Sequence, residues 1–248
     1  MANASYSGEY SKPEWGCSFH QVSSTYGPKN IHLCHVKVSD IIKIAAELSS
    51  IVMNDSWIMN LDKGARRAYE TTVKETAECL VDIFKNNLRS GTDDKVSTEF
   101  GEVMVSMSSS RALEVILGHI SLPIAELWKP QKKQNEGFDF HTVCPNKFIN
   151  FGEAKFSGSG NPHGLASSQA HDFFESKKHL RDRVHLINLA GKESLDHLDT
   201  DSFGAILAFS INSKNPLTIF ENAITTAESH TSLKNAKYVY IVGVSHEY

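Results

Sequence analysis

The chain has 248 residues, of which 40% are apolar and 22% charged, and its formal net charge is −4. That length can bury one large core, and the composition is that of a folded globular protein rather than a disordered or collagen-like chain. The acidic balance argues against strong unaided binding to DNA, because non-specific affinity comes mostly from Lys and Arg neutralising phosphates.

In chain order, residues 1–30 are rich in Ser, Gly, Tyr and Asn, with Pro13 and Pro28 as punctuation, and predict a loosely ordered start or irregular strands. They contain no basic stretch followed by an apolar core, so no secretory leader is expected. No later apolar run approaches bilayer length, so no membrane span and a cytoplasmic location are expected. Cys17, Cys34, Cys79 and Cys144 form no CxxC pair and are expected to be reduced thiols. A β-branched run predicts a strand over 31–38, and Ser39 or Asp40 then caps a helix to about residue 53. His32, Cys34 and His35 in that strand are half a ligand set at most. Helical spacing of Ala65, Ala68, Tyr69, Val73, Ala77, Leu80, Val81 and Phe84 predicts a helix over 63–88. Residues 91–94 read as a linker, dividing an N-terminal α+β region (1–91, for partner binding or regulation) from a core (92–248). Ser97 or Thr98 starts a helix with an acidic first turn that runs to about Gly118. Strands are predicted over 122–127, 137–143 and 148–156. A Gly-rich, mobile loop (157–164) leads to a helix over 165–180. Strands over 203–211 and 238–244, joined by a helix over 217–229, complete an α/β pattern with a mixed sheet flanked by helices.

Three acidic-x-Lys matches occur, at Asp93, Glu153 and Glu175. The first falls in the expected linker, and the third on a helix, where residues two apart do not face each other. Only Glu153-Ala154-Lys155 lies on a predicted strand, where alternation puts Glu153 and Lys155 on one face. Asp139, on the preceding strand, can sit beside Glu153. Two carboxylates and a lysine on one patch suit metal-assisted phosphodiester hydrolysis. Mg²⁺ or Mn²⁺ takes hard oxygen ligands, its bound water becomes the nucleophile, and the lysine orients that water and offsets developing charge. Glu102 on the preceding helix is the expected third carboxylate, with Glu99 as its rival. Metal ligands would then be Asp139, Glu153 and Glu102.

The order of helix with Glu102, strand, strand with Asp139, strand with Glu153-x-Lys155, then helix resembles the PD-(D/E)xK nuclease superfamily over roughly residues 97–180. Phe138 stands where that family often has Pro. The resemblance implies a restriction-endonuclease-like fold and a metal-dependent deoxyribonuclease with little sequence selectivity. Gln169 resembles a glutamine that some branches use at metal-bound water or DNA, although Phe173 replaces its usual tyrosine partner. The runs Gly137-Phe138-Asp139-Phe140-His141 and Phe151-Gly152-Glu153-Ala154-Lys155-Phe156, with Phe100-Gly101-Glu102-Val103-Met104, are similar to the HamA family of Hachiman anti-phage nucleases. That likeness implies a helicase partner of the HamB kind.

Blander readings stand beside these. Asp139, Glu153 and Lys155 could be an exposed ion-pair cluster, worth little to stability. Their apolar neighbours argue instead that the strands are covered, and covered charges need a reason. His141 shares the face of Asp139 and is a DNA or metal contact or an ordinary hydrogen-bonded histidine. Lys129, Lys132 and Lys133, then Lys177, Lys178, Arg181 and Arg183, are solvated faces or phosphate contacts. A catalytically silent nuclease-fold interaction subunit is the competing functional class.

Overall fold

The computed structural model describes residues 4–89, 96–129 and 137–246. The chain begins with two regular, paired strands where a loosely ordered start or irregular strands are expected: β1 (Ala4–Lys12) and β2 (Cys17–Ser24), joined by a 3-10 turn (Pro13–Trp15). Gly16, at φ 65°, closes that turn. Their regularity escapes a sequence reading because β1 is an edge strand with a mostly exposed, polar pattern. Strand β3 (Ile31–Val38) lies where expected.

Helix α1 (Ile41–Val52) starts at Asp40, whose carboxylate accepts from the amides of Ile42 and Lys43. A short α2 (Ser56–Met59) precedes the long α3 (Lys63–Arg89). The expected linker at 91–94 lies outside the described residues. Helix α4 (Thr98–Leu117) is capped by Ser97, which accepts from the Phe100 amide, and ends at Gly118 in the left-handed region. Buried residues lie all round it, and Ser106, Ser108, Ser109 and Ser110 are small enough to bring it close to its neighbours.

The strand expected over 122–127 is a correction. Only Ile120–Ser121 pair, as β4, and Ala125–Leu127 form a 3-10 turn. Pro123 has no amide to give a ladder, and its carbonyl accepts from Trp128 Nε1 (2.8 Å), which curls the segment. Strands β5 (Phe140–Val143) and β6 (Ile149–Lys155) follow. The helix expected over 165–180 is two helices, α5 (His163–Glu175) and α6 (Lys178–Leu186). They are broken at Lys177, which sits at φ 56°. The chain then forms α7 (Lys192–Asp199), β7 (Gly204–Ile211), α8 (Pro216–Ser229), α9 (Thr231–Asn235) and β8 (Tyr238–His246).

All eight strands make one mixed sheet in the order β1-β2-β3-β8-β7-β6-β5-β4. The central four, β3, β8, β7 and β6, run parallel, and both wings are antiparallel. Strand β7 is buried along its whole length, as parallel strands covered on both faces are. His35, Gly243, Phe209 and Lys155 stand in register and share one face. Phe220 of α8 packs on that face, against His35 and Phe209. Phe156, next along the chain, points to the opposite face and meets Gly101 of α4. The sheet is thus sandwiched between α4 and the α5/α8 layer. It is also continuous across residue 91, because β3 hydrogen-bonds to β8. No helix among the described residues is long and apolar enough to cross a membrane. Cys17, Cys34 and Cys144 are buried free thiols, and Cys79 is an exposed one.

Candidate active site

Asp139 lies one residue before β5, so the expected strand over 137–143 is shorter than predicted. The ladder still reaches it, since its amide donates to the Gly152 carbonyl (2.9 Å). Phe140 pairs with Gly152, which puts Asp139 opposite Glu153. The Asp139 carboxylate accepts from the Ala154 amide (2.7 Å), between Glu153 and Lys155 of β6. Lys155 Nζ is 2.8 Å from Glu153 Oε1. The Lys155 ammonium is thus the partner of Oε1, and the other Glu153 oxygen is buried with no hydrogen-bond partner.

Two glycine–phenylalanine interlocks hold this patch together. A Cβ on Gly152 would lie 2.5 Å from the Phe140 ring. A Cβ on Gly101 would collide with the Phe156 ring. Gly152 precedes Glu153, Phe140 follows Asp139, Gly101 precedes Glu102 and Phe156 follows Lys155. Each close approach therefore brings two of the four residues together. Glu102 is half-buried, whereas its rival Glu99 is exposed.

The electrostatics are those of acids crowded into a covered place. Burial, reinforced by the Asp139 charge, pushes Glu153 well above the ordinary carboxylate value, against the pull of Lys155. Burial raises Asp139 to about 6, although the Ala154 amide and Lys155 oppose it. Burial also raises Glu102. For Lys155, burial alone would lower the pKa, but Glu153, Asp139 and Glu102 outweigh it and raise it. A fourth acid, Glu126 on the 3-10 turn, is pushed to about 7 by burial and by Asp139. Sequence reasoning missed Glu126 because it falls in the segment mistaken for a strand. The Pro123 break was the one signal that could have placed it on a turn.

Behind Asp139 sits a second polar cluster. Asp182 of α6 pairs with Lys129 Nζ (2.9 Å) and accepts from His141 Nε2 (2.9 Å). Lys129 also donates to the Phe138 carbonyl (2.7 Å). Asp182 is held below its usual value, because His141 and Lys129 outweigh the effect of burial. This clamp grips Phe138 and His141 on either side of Asp139. His141 is fully buried, packed between Trp128 and Phe151. Burial lowers its pKa. Lys129, with only 14% of its side chain exposed, is engaged in the clamp.

Lys132 and Lys133 lie outside the described residues. Lys177 and Arg181 are exposed at the α5–α6 corner. Lys178 lies over the Phe173 ring, 3.8 Å from its centre. Arg183 pairs with Asp199. Gln169 is half-buried on α5. The loop after Lys155, expected to be mobile, is pinned. Asn212 Nδ2 donates to the carbonyls of Ser157 and Gly160 (2.7 Å each), and the Ser157 amide donates to Ser210 Oγ (2.9 Å).

Among the described residues, no three His, Cys, Asp or Glu side chains stand together as a ready metal-ligand group. Glu153 and Asp139 nevertheless have the chemistry of a hard-cation site: oxygen donors side by side, the first fully buried and the second part-buried. Mg²⁺ commonly takes one or two carboxylates and fills its remaining positions with waters and substrate phosphate. No family model, no curated protein and no solved structure matches the chain.

Proposed function

We propose that the chain is a metal-dependent nuclease that hydrolyses DNA phosphodiesters with little sequence selectivity. The observation that carries this is the fully buried Glu153, set opposite Asp139 with one oxygen ion-paired to Lys155. Desolvating a carboxylate costs several kcal/mol unless something compensates it. A divalent cation is the compensation that this donor set suits. The succession α4, antiparallel β4–β5–β6, α5, and β7 parallel to β6 supports the resemblance to the PD-(D/E)xK nucleases.

In this reading Asp139 and Glu153 hold a Mg²⁺ or Mn²⁺ ion. Bound there, the ion would polarise the scissile phosphate and acidify a water. Lys155 Nζ orients the attacking water and offsets negative charge on the phosphate oxygens. Glu102, within electrostatic reach of Lys155, holds water at the rim of the site. The Ala154 amide fixes one Asp139 oxygen and leaves the other for the ion. The Asp182 clamp keeps the segment carrying Asp139 in place. Lys177 and Arg181 supply backbone contacts to DNA.

The runs around Asp139 and Glu153 extend the proposal to an anti-phage effector of the HamA kind that works with a helicase. A net charge of −4 favours weak grip until such a partner delivers DNA.

The test is cleavage of plasmid and linear DNA by the purified chain, alone and with a candidate helicase, in Mg²⁺, Mn²⁺ or chelator. Asp139→Asn, Glu153→Gln and Lys155→Met should each lower the rate by about a hundredfold or more. Cleavage that survives all three substitutions would place the chemistry elsewhere. Absence of cation-dependent cleavage under every condition would favour a silent interaction subunit.

A further inference from the structure

We propose that the cleft at the start of α7 is a binding site for a phosphomonoester with a compact apolar or aromatic body. The site is separate from the carboxylate cluster. Val143, in its wall, is the last residue of β5, whereas Asp139 precedes the first.

The cleft, of about 350 Å³, lies between β4, the end of β5 and the first turn of α7. That volume is at the small end of ligand clefts. Leu122, Val143 and Leu189 give it apolar surface, and Lys147, Lys192 and Ser194 give it polar groups. Helix α7 begins without a side-chain cap, because Gly191 stands at the N-cap in extended conformation (φ −69°, ψ 159°). The Ser194 and Leu195 amides bond the Gly191 carbonyl, which leaves the amides of Lys192 and Glu193 without an intrahelical acceptor. A Cβ on Gly191 would meet nothing within 4 Å, so the approach to those amides is open.

A helix start is not by itself a site. The independent observation is Ser194, which lines the cleft and is only 2% exposed, yet whose hydroxyl makes no hydrogen bond among the described residues. An acceptor seated in the cleft would satisfy it. Two ammonium groups stand beside it, and neither Lys147 nor Lys192 forms an ion pair among the described residues. Lys147 sits at φ 63°, a conformation that glycine or asparagine adopts at less cost. Glu193 also lines the cleft, but its single charge faces two ammoniums and the positive end of the helix. Free amides, a hydroxyl and two ammoniums ask for several acceptor oxygens on one doubly charged centre. A phosphomonoester has these and a carboxylate does not. The apolar surface then takes the rest of the molecule.

The experiment follows binding of phenyl phosphate to the full chain by calorimetry and phosphorus NMR, with inorganic phosphate and benzoate as comparisons. Chelator keeps divalent ions, and with them the proposed nuclease centre, out of the titration. The expected result is saturable binding, tighter than that of benzoate and, through burial of the ring, about tenfold tighter than that of inorganic phosphate. Ser194→Ala should weaken it about fivefold or more. Gly191→Asp should weaken it about tenfold or more, because the new carboxylate caps the free amides and repels the anion. The same cap should raise the melting temperature, which shows that this variant folds. Lys147→Gly, which suits the positive φ, and Lys192→Gln should each weaken binding about threefold, with the difference shrinking at high salt. Lys155→Met should leave binding unchanged. No saturable binding by the wild type, or binding that both Ser194→Ala and Gly191→Asp leave untouched, overturns the site. Benzoate binding as tightly as phenyl phosphate overturns the phosphate assignment. Loss of binding in Lys155→Met places the probe at the carboxylate cluster and overturns the proposal.

Discussion

Glu153 carries a conflict between stability and function that can be measured. Its carboxyl is raised by burial and by Asp139, so in the cation-free protein the ionised form destabilises the fold relative to the unfolded chain. Glu153→Gln mimics the protonated state. It should stabilise the cation-free protein by about 1 kcal/mol or more near pH 8, with the gain vanishing near pH 4 where the wild-type carboxyl is protonated anyway. Added Mn²⁺ should reverse the order, since a ligand of the folded state stabilises only the protein that binds it. Chemical denaturation of both proteins at the two pH values is the measurement, and equal stabilities near pH 8 would sink the account. Buried histidines act in the opposite direction. Burial lowers His119 and His179 from 6.5 to about 4, and burial together with the Lys37 and His20 charges lowers His35 to about 3. Neutral in the fold and charged in the unfolded chain, they contribute stability above pH 6.5 that is lost as pH falls toward 4. His119, which bonds Thr142 (2.9 Å) and meets the edge of Tyr240, is the cleanest test. His119→Gln should flatten the acid side of the stability profile, and an unchanged slope would assign the loss to other groups.

At the scale of elements, the site is a product of how closely α4, β5 and β6 approach. Gly152→Ala would drive a methyl into the Phe140 ring, and Gly101→Ala would drive one into Phe156. Each should cost about 1–3 kcal/mol, as overpacking does. If the proposed cleavage activity holds, each should also lower its rate more than the stability loss explains, because the displaced rings flank Asp139 and Lys155. Thermal melts paired with single-turnover rates separate the two effects, and a variant that loses stability but keeps its rate would show that the interlocks do not set the site. This scale is also where the sequence was readable and where it failed. The acid–lysine alternation of β6, the Asp139 pairing, the Ser97 cap and Gly118 stop of α4 and the apolar runs of β7 and β8 follow from local periodicity and turn chemistry. The paired strands β1 and β2 do not. Their polar edge pattern is stabilised by pairing along the sheet rather than by anything visible in the residues themselves. The Glu126 turn was hidden by an apolar run that Pro123 bends, and the Lys129–Asp182–His141 clamp joins positions too distant in the chain to announce one another.

At the scale of the whole molecule, the N-terminal strands and the candidate site belong to one sheet. Strand β8 hydrogen-bonds β3 on one side and β7 on the other, and β7 in turn supports β6. Residues 92–248 expressed alone would present the apolar edge of β8 to solvent. That fragment should aggregate or give a broad, non-cooperative melt, whereas the full chain should unfold in one cooperative transition. A soluble fragment with a sharp melt would show that the sheet tolerates losing its first three strands.

The pairing of β3 with β8 also fixes when the candidate site can be completed. A ribosome delivers residue 31 long before residue 239, its partner about two hundred positions later, and long-range parallel pairing is slow to form. The half-made chain has Asp139, Glu153 and Lys155 already outside the tunnel, but their sheet lacks its middle strand. If the proposed cleavage activity holds, a chain built this way stays harmless during its own synthesis.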